Sequence, residues 1–138
     1  MITIEVHFNI YRWSLAERFN LDDLWARSQP HCLQSIKVRT LCPEDLLLHI
    51  CAHASIFHGF EHGIRPLIDI YSIVEHYQTE MDWKRLLSIS QQLKIYNCLY
   101  LMLALTEKLV GLSVPQHIMS EIKPDDENMV VLLITMLF

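Results

Sequence analysis

Histidines are the residues of this chain that most directly suggest chemistry, because four of them fall between positions 49 and 62. On a straight helix His49 and His53 are about 40° apart and share one face. By the same geometry His58 lies about 140° from His53. Two imidazoles fall short of the usual ligand set of zinc, and no HExxH pattern follows His49. We therefore expect hydrogen-bonded histidines lining a cleft or the core. A metal-dependent hydrolase built on the histidines is the alternative.

Arg65 and Asp69 follow the histidines at a spacing of four residues. On a helix this spacing permits an ordinary surface ion pair, which is worth only a few tenths of a kcal/mol. It also permits Asp69 to hold His53 or His58 of the neighbouring helix, which would make these residues part of a site. The pattern leaves both interpretations open.

A carboxylate and an imidazole lie side by side near the start of the chain. Residues 2–8 alternate between apolar and polar types, which predicts a half-buried strand with Glu5 and His7 on its polar face. An exposed polar face is the simpler interpretation for an isolated strand. A functional interpretation requires another lobe that completes the site.

Motifs for nucleophilic catalysis and for phosphate-binding loops are missing from the sequence. There is no GxSxG, no P-loop and no GxGxxG, and the chain has only three glycines. The four cysteines show no CxxC spacing, so we expect reduced, buried thiols in a cytosolic protein.

Helices must position most of these side chains. Pro43 followed by two acids is a favourable helix start, and Gly59 can close that helix. Asn20 and Asp82 are suitable caps for two further helices. The predicted helices cover residues 21–27, 43–58, 66–77, 83–93, 95–110 and 115–122, and the predicted strands cover residues 2–8 and 36–40. The prediction is a single, mainly α (α+β) domain over residues 1–138: a bundle of about five to six helices with a small N-terminal β element of one or two strands.

Composition and charge narrow the class of protein. A net charge of −5 with scattered lysines and arginines gives no basic stripe, so we expect no direct nucleic-acid binding. The apolar runs at 98–105 and 129–138 are far shorter than the ~20 residues that cross a bilayer. No signal-peptide pattern is present. We expect a cytoplasmic protein.

Several short motifs occur in a characteristic order. They are Glu5-x-His7 in a strand, Leu24–Trp25 in a short helix, Leu41, Pro43, Glu44, Asp45 and His49 at a helix start, then His53, His58 and Gly59, Arg65 and Asp69, Asp82–Trp83, and Val114–Pro115. This ordered set, spanning roughly residues 2–116, resembles the uncharacterised nucleotidyltransferase family, a branch of the nucleotidyltransferase superfamily.

The resemblance implies an enzyme that transfers a nucleoside monophosphate group from a nucleoside triphosphate (NTP), such as ATP, with Mg²⁺. Three carboxylates hold two metal ions in such enzymes. The resemblance makes Glu5 the counterpart of the third carboxylate, with His7 beside it. It places His49, His53, His58, Arg65 and Asp69 along a substrate cleft without assigning their roles.

The Gly-Ser turn and the Asp-x-Asp strand of such enzymes have no counterpart among the 138 residues. A lone carboxylate does not organise two Mg²⁺ ions. We therefore expect the truncated, C-terminal portion of a larger nucleotidyltransferase-like fold, inactive alone, with no metal site of its own and no tightly bound cofactor. The partner would be the missing N-terminal lobe or a second copy, contacted through the first strand and residues 129–138. The alternative is a helical interaction or oligomerisation module without catalysis.

Overall fold

A computed structural model describes residues 10, 18–57, 61 and 63–124 of the chain. Within these ranges the fold is mainly α with a small β element, as predicted. The elements are α1 (Leu21–Arg27), β1 (Gln29–Leu33), β2 (Ile36–Thr40), α2 (Pro43–Ala52), a π turn (His53–Phe57), α3 (Arg65–His76), α4 (Trp83–Gln92), α5 (Tyr96–Val110) and α6 (Gln116–Ile122). None of the described helices is both long and apolar enough to cross a membrane.

The core forms where α2, α3, α4 and α6 pack around α5. The apolar positions of α5 recur at helical spacing, so Leu99, Met102 and Leu103 are fully buried. α3 buries Leu67, Ile70 and Val74 as its sequence pattern predicts. On α2 the buried face is centred on Leu47, Leu48, Cys51 and Ala52, while Leu46 and Ile50 are only half-buried, as is Phe57 of the π turn. This helix packs against three other helices at once.

Helix ends follow the local signals of the sequence. The Asn20 side chain accepts a hydrogen bond from the Asp22 N–H at 2.9 Å, and the Asp82 side chain accepts one from the Arg85 N–H at 3.0 Å. Gly111 ends α5 with a φ of +83°, in the left-handed region that favours glycine. The predicted caps at Asn20 and Asp82 are confirmed, as is the predicted helix end at residue 110.

The β element is an antiparallel hairpin that runs from Gln29 paired with Thr40 to Leu33 paired with Ile36. Strand β2 is confirmed, but its partner β1 was not predicted because Pro30 and the absence of alternation hide it. Arg39 ties the hairpin to the end of α1, since its Nε donates to the Ser28 Oγ at 2.6 Å. The predicted strand at residues 2–8 lies outside the described residues.

The α-helix that starts at Pro43 is shorter than predicted. Its α geometry ends at Ala52, and the chain continues as a π turn to Phe57. In a π turn each N–H bonds to the carbonyl five residues back, so angles computed for a straight α-helix do not apply beyond Ala52. His58 lies outside the described residues.

Candidate functional site

A cavity of about 270 Å³ lies where the end of α2 and the π turn meet the start of α3. Three polar side chains line it: His53, Arg65 and Asp69. The apolar part of the wall comes from Ile50, Ala54 and Pro66. The sequence singled out the polar three as cleft residues; it did not single out the apolar three.

Local sequence explains how the two elements present this cavity. Gly63, with a φ of +59°, lets the chain turn just before α3. Pro66 occupies the first turn of α3, where its missing N–H costs nothing. Ile50 and Ala54 lie four residues apart on the same side of the helix and its π extension, with His53 beside Ala54. Each element therefore contributes both polar and apolar side chains to the cavity: His53 with Ile50 and Ala54 on one side, and Arg65 and Asp69 with Pro66 on the other.

The other predicted histidines are placed differently. The ring of His49 lies beside that of His53, with centroids 5.5 Å apart and planes tilted by 51°. The His53 ring meets the Phe57 ring edge-on at 6.3 Å. A series of tilted and edge-on ring contacts thus runs from α2 through His53, which lines the cavity. The predicted site residues Glu5, His7 and His58 lie outside the described residues.

Arg65 and Asp69 do not form the surface ion pair that their spacing permits. In residues 63–124 no ion pair joins the two side chains, and both are exposed. Two physical reasons favour this outcome. First, an ion pair at i and i+4 on a helix is weaker when the cation comes before the anion than in the reverse order. Second, water screens the attraction between exposed charges.

The described residues do not form a metal centre. Over these ranges no three His, Cys, Asp or Glu side chains come together as a possible metal site. The cavity wall offers one carboxylate, Asp69, and one imidazole, His53. Two Mg²⁺ ions need more oxygen ligands than this wall provides.

The two acids that start α2 are structural. Asp45 is 2% exposed and receives two hydrogen bonds from the Arg27 guanidinium of α1, at 2.8 and 3.0 Å. This contact raises the pKa of Arg27 above its usual value. The Cys42 thiol donates to the same Asp45 carboxylate at 3.1 Å. The sequence interpretation placed these acids only in the helix dipole, because Arg27 lies 18 residues away.

Glu44, like Asp45, joins α2 to another helix. It is 1% exposed, and its Oε1 accepts a hydrogen bond at 2.7 Å from the backbone N–H of Asp82, the cap of α4. The Arg85 guanidinium lies 3.8 Å from the same oxygen. Glu44 and Asp45 together therefore fix α1 and the start of α4 against α2.

The cysteines divide into the exposed Cys32, the buried Cys42 and Cys51, and the half-buried Cys98. Cys32 on the hairpin is exposed, so the expectation of four buried thiols is wrong at this position. Burial raises the pKa of the Cys42 thiol to about 12 and that of Cys98 to about 11, and it raises the pKa of Cys51 strongly. These three thiols stay protonated near neutral pH, so they are poor nucleophiles.

Comparison with known proteins identifies a family. The model of a protein family described as "Uncharacterised nucleotidyltransferase" matches residues 1–111 of the chain. The matched residues include all those that line the cavity. No curated protein and no solved structure matches the chain. Because the family match covers most of the 138 residues, membership does not depend on any single motif. The chain belongs to the uncharacterised nucleotidyltransferase family.

Proposed function

We propose that this helical domain holds a substrate of nucleotidyl transfer and does not carry out the transfer with its 138 residues alone. In the proposed reaction an acceptor oxygen forms a bond to the α-phosphorus of a nucleoside triphosphate. The bond to the β-phosphate breaks, pyrophosphate leaves with the electron pair, and the acceptor proton passes to solvent. The domain contributes binding and orientation of one reactant.

The observation that carries the proposal is the division of the motif residues into two groups. The side chains of Glu44 and Asp45 are used in contacts between helices. His53, Arg65 and Asp69 instead meet at one cavity, although they come from two separate elements. Side chains of the second group can therefore reach a ligand, whereas those of the first group cannot without loss of the fold.

A second cavity argues less strongly for function. It lies between α4 and α6, has a volume of about 340 Å³ and is lined in part by Lys84, His117 and Glu121. It is the larger of the two, but its α6 wall lies beyond the matched residues 1–111. The smaller cavity is therefore the better candidate site.

The metal chemistry of the family would come from outside the described helices. We propose Glu5 as one metal-binding carboxylate and His7 as its neighbour. The other two carboxylates would belong to a separate Asp-x-Asp lobe, which would also be the partner of this domain. Mg²⁺ and the triphosphate would bind tightly only once that lobe is in place.

The test is a titration of the purified chain with Mg²⁺ and ATP, followed by calorimetry. We expect a dissociation constant weaker than about 1 mM, because a lone carboxylate cannot hold the metal pair. Incubation with ATP labelled in the α-phosphate should give no labelled product. Micromolar binding of Mg·ATP that Glu5→Gln abolishes, or transfer of the label, would disprove the inactive-domain proposal.

The hairpin supports a second candidate function, binding to another protein chain or to a second copy. Leu33 and Ile36 face each other at its tip and are 64% and 63% exposed. Apolar side chains of this size cost free energy in water, which burial in an interface recovers. The predicted contact segments, residues 2–8 and 129–138, lie outside the described residues.

Sedimentation velocity at several protein concentrations tests this second function. We expect association that weakens when Leu33 and Ile36 are both replaced by serine. Lys37→Ser on the same hairpin is the control, because it changes the hairpin without removing apolar surface. A sedimentation coefficient independent of concentration would argue for a monomer.

A further inference from the structure

Two of the polar side chains that line the α2–α3 cavity carry charges of opposite sign. The Arg65 guanidinium and the Asp69 carboxylate both line it, one turn of α3 apart. Ile50, Ala54 and Pro66 provide a wall for a carbon skeleton. The cavity thus combines a cationic group, an anionic group and an apolar surface within about 270 Å³.

The two charges remain accessible from the cavity. No ion pair joins Arg65 to Asp69 in the part of the chain that the structure describes, and both residues are exposed. A pair formed on the helix surface would gain little, so a ligand does not have to break a strong contact to reach either group. Each group can therefore bind a ligand group of the opposite charge.

A polyphosphate is a poor fit to this cavity. Its charge would be attracted to Arg65, but it would also lie against the Asp69 carboxylate, and juxtaposed like charges are costly. The volume is below the ~300–1,000 Å³ typical of pockets for drug-sized ligands. A small molecule that carries both signs of charge fits better. Its anionic group would accept two hydrogen bonds from the guanidinium, and its ammonium group would donate to the carboxylate.

We propose that this cavity binds a small zwitterion, with an anionic group at Arg65 and an ammonium group at Asp69. This inference rests on the proposed function and deepens it: the zwitterion is the acceptor, and the triphosphate binds elsewhere. His53, the first residue of the π turn, is the third polar side chain of the cavity. In this proposal it lies beside the acceptor hydroxyl groups, one of which supplies the attacking oxygen.

The test uses three matched probes with the full chain: glucosamine 6-phosphate, glucose 6-phosphate and glucosamine. The second lacks the ammonium group and the third lacks the phosphate. We expect glucosamine 6-phosphate to bind about tenfold more tightly than either, because each charge-assisted contact contributes a factor of this size. Amide NMR signals of α3 and of the π turn should shift during the titration.

Two variants separate the roles of the charges. Arg65→Gln should remove the advantage over glucosamine, and Asp69→Asn should remove the advantage over glucose 6-phosphate. The matched controls are Lys84→Gln and Glu121→Gln in the second cavity, which carry the same changes of charge and should leave all three affinities unchanged. Circular dichroism of each variant confirms that it is folded.

Each result decides between the two proposals. Equal binding of the three probes, or no binding of any, would overturn the zwitterion inference and leave the family-level proposal intact. ATP without Mg²⁺ binding as tightly as glucosamine 6-phosphate would also overturn it. Zwitterion binding in a chain that transfers nucleotides unaided would instead support the inference and refute the inactive-domain proposal.

Discussion

Replacing Arg27 by methionine tests whether the acids at the start of α2 hold the helices together. The guanidinium meets the Asp45 carboxylate through two contacts, from Nε to Oδ2 at 2.8 Å and from Nη2 to Oδ1 at 3.0 Å. Methionine keeps much of the aliphatic stem and removes the charge. Because Asp45 is only 2% exposed, the variant leaves a buried carboxylate without its cation.

The size of the effect follows from this burial. Removing one partner of a buried ion pair costs about 3–5 kcal/mol. The side chain of Arg27 is 23% exposed, and the Cys42 thiol still donates to Asp45 in the variant. Both features reduce the loss of stability. We expect the free energy of unfolding to fall by about 3 kcal/mol, the lower end of this range.

Urea unfolding followed by far-UV circular dichroism measures the change. Lys37→Met, at an exposed position of β2, is the matched control and should change stability by less than about 0.5 kcal/mol. The double variant Arg27→Met/Asp45→Leu should recover most of the lost stability, because an apolar pair can replace a buried ion pair at little cost. If Arg27→Met is as stable as Lys37→Met, the junction between α1 and α2 does not depend on this pair.

Two further predictions concern the thiols and the end of α5. Burial holds the pKa of Cys42 at about 12 and that of Cys98 at about 11, so the folded chain keeps protons that the unfolded chain releases above about pH 9. The stabilisation that these protonated thiols provide is therefore present below about pH 8, and the free energy of unfolding falls as the pH rises, by about 1.4 kcal/mol per thiol between about pH 8 and pH 10. Urea unfolding at both pH values should show this loss of stability. Replacing both Cys42 and Cys98 by alanine should reduce the loss, whereas Cys32→Ala should leave it unchanged. An equal loss in the double variant would contradict the assignment of the pH dependence to these two thiols. At the other site, Gly111→Ala should lower the free energy of unfolding by about 1 kcal/mol, because φ is +83°, and asparagine should cost less. Thermal unfolding compares the two, and an alanine variant as stable as the wild type would contradict the argument.

Features that depend on neighbouring residues could be predicted from the sequence. The caps at Asn20 and Asp82 and the stop at Gly111 act within a few residues of the chain, so their residue types suffice. The apolar spacing of α3 likewise matches its buried positions Leu67, Ile70 and Val74, because helical periodicity is local. The order of short motifs likewise pointed to the family that the comparison identifies.

Features that depend on distant partners could not be predicted. The burial of Asp45 requires Arg27, and that of Glu44 requires the backbone of Asp82, which lies 38 residues away. No local pattern distinguishes such acids from ordinary first-turn acids, which favour the helix dipole in the same way. The pairing of β1 with β2 was hidden because neither strand buries a regular face.

The sequence by itself determined where most helices begin and end, because capping and periodicity are local and arise from the residues in place. Only the tertiary structure decided which polar residues support the fold and which reach the cavity. His53, Arg65 and Asp69 had the residue types of a site in the sequence, but their meeting at one cavity depends on the π turn and on the packing of α2 against α3. That packing depends on many contacts between segments far apart in the chain. No short stretch of residues specifies such contacts.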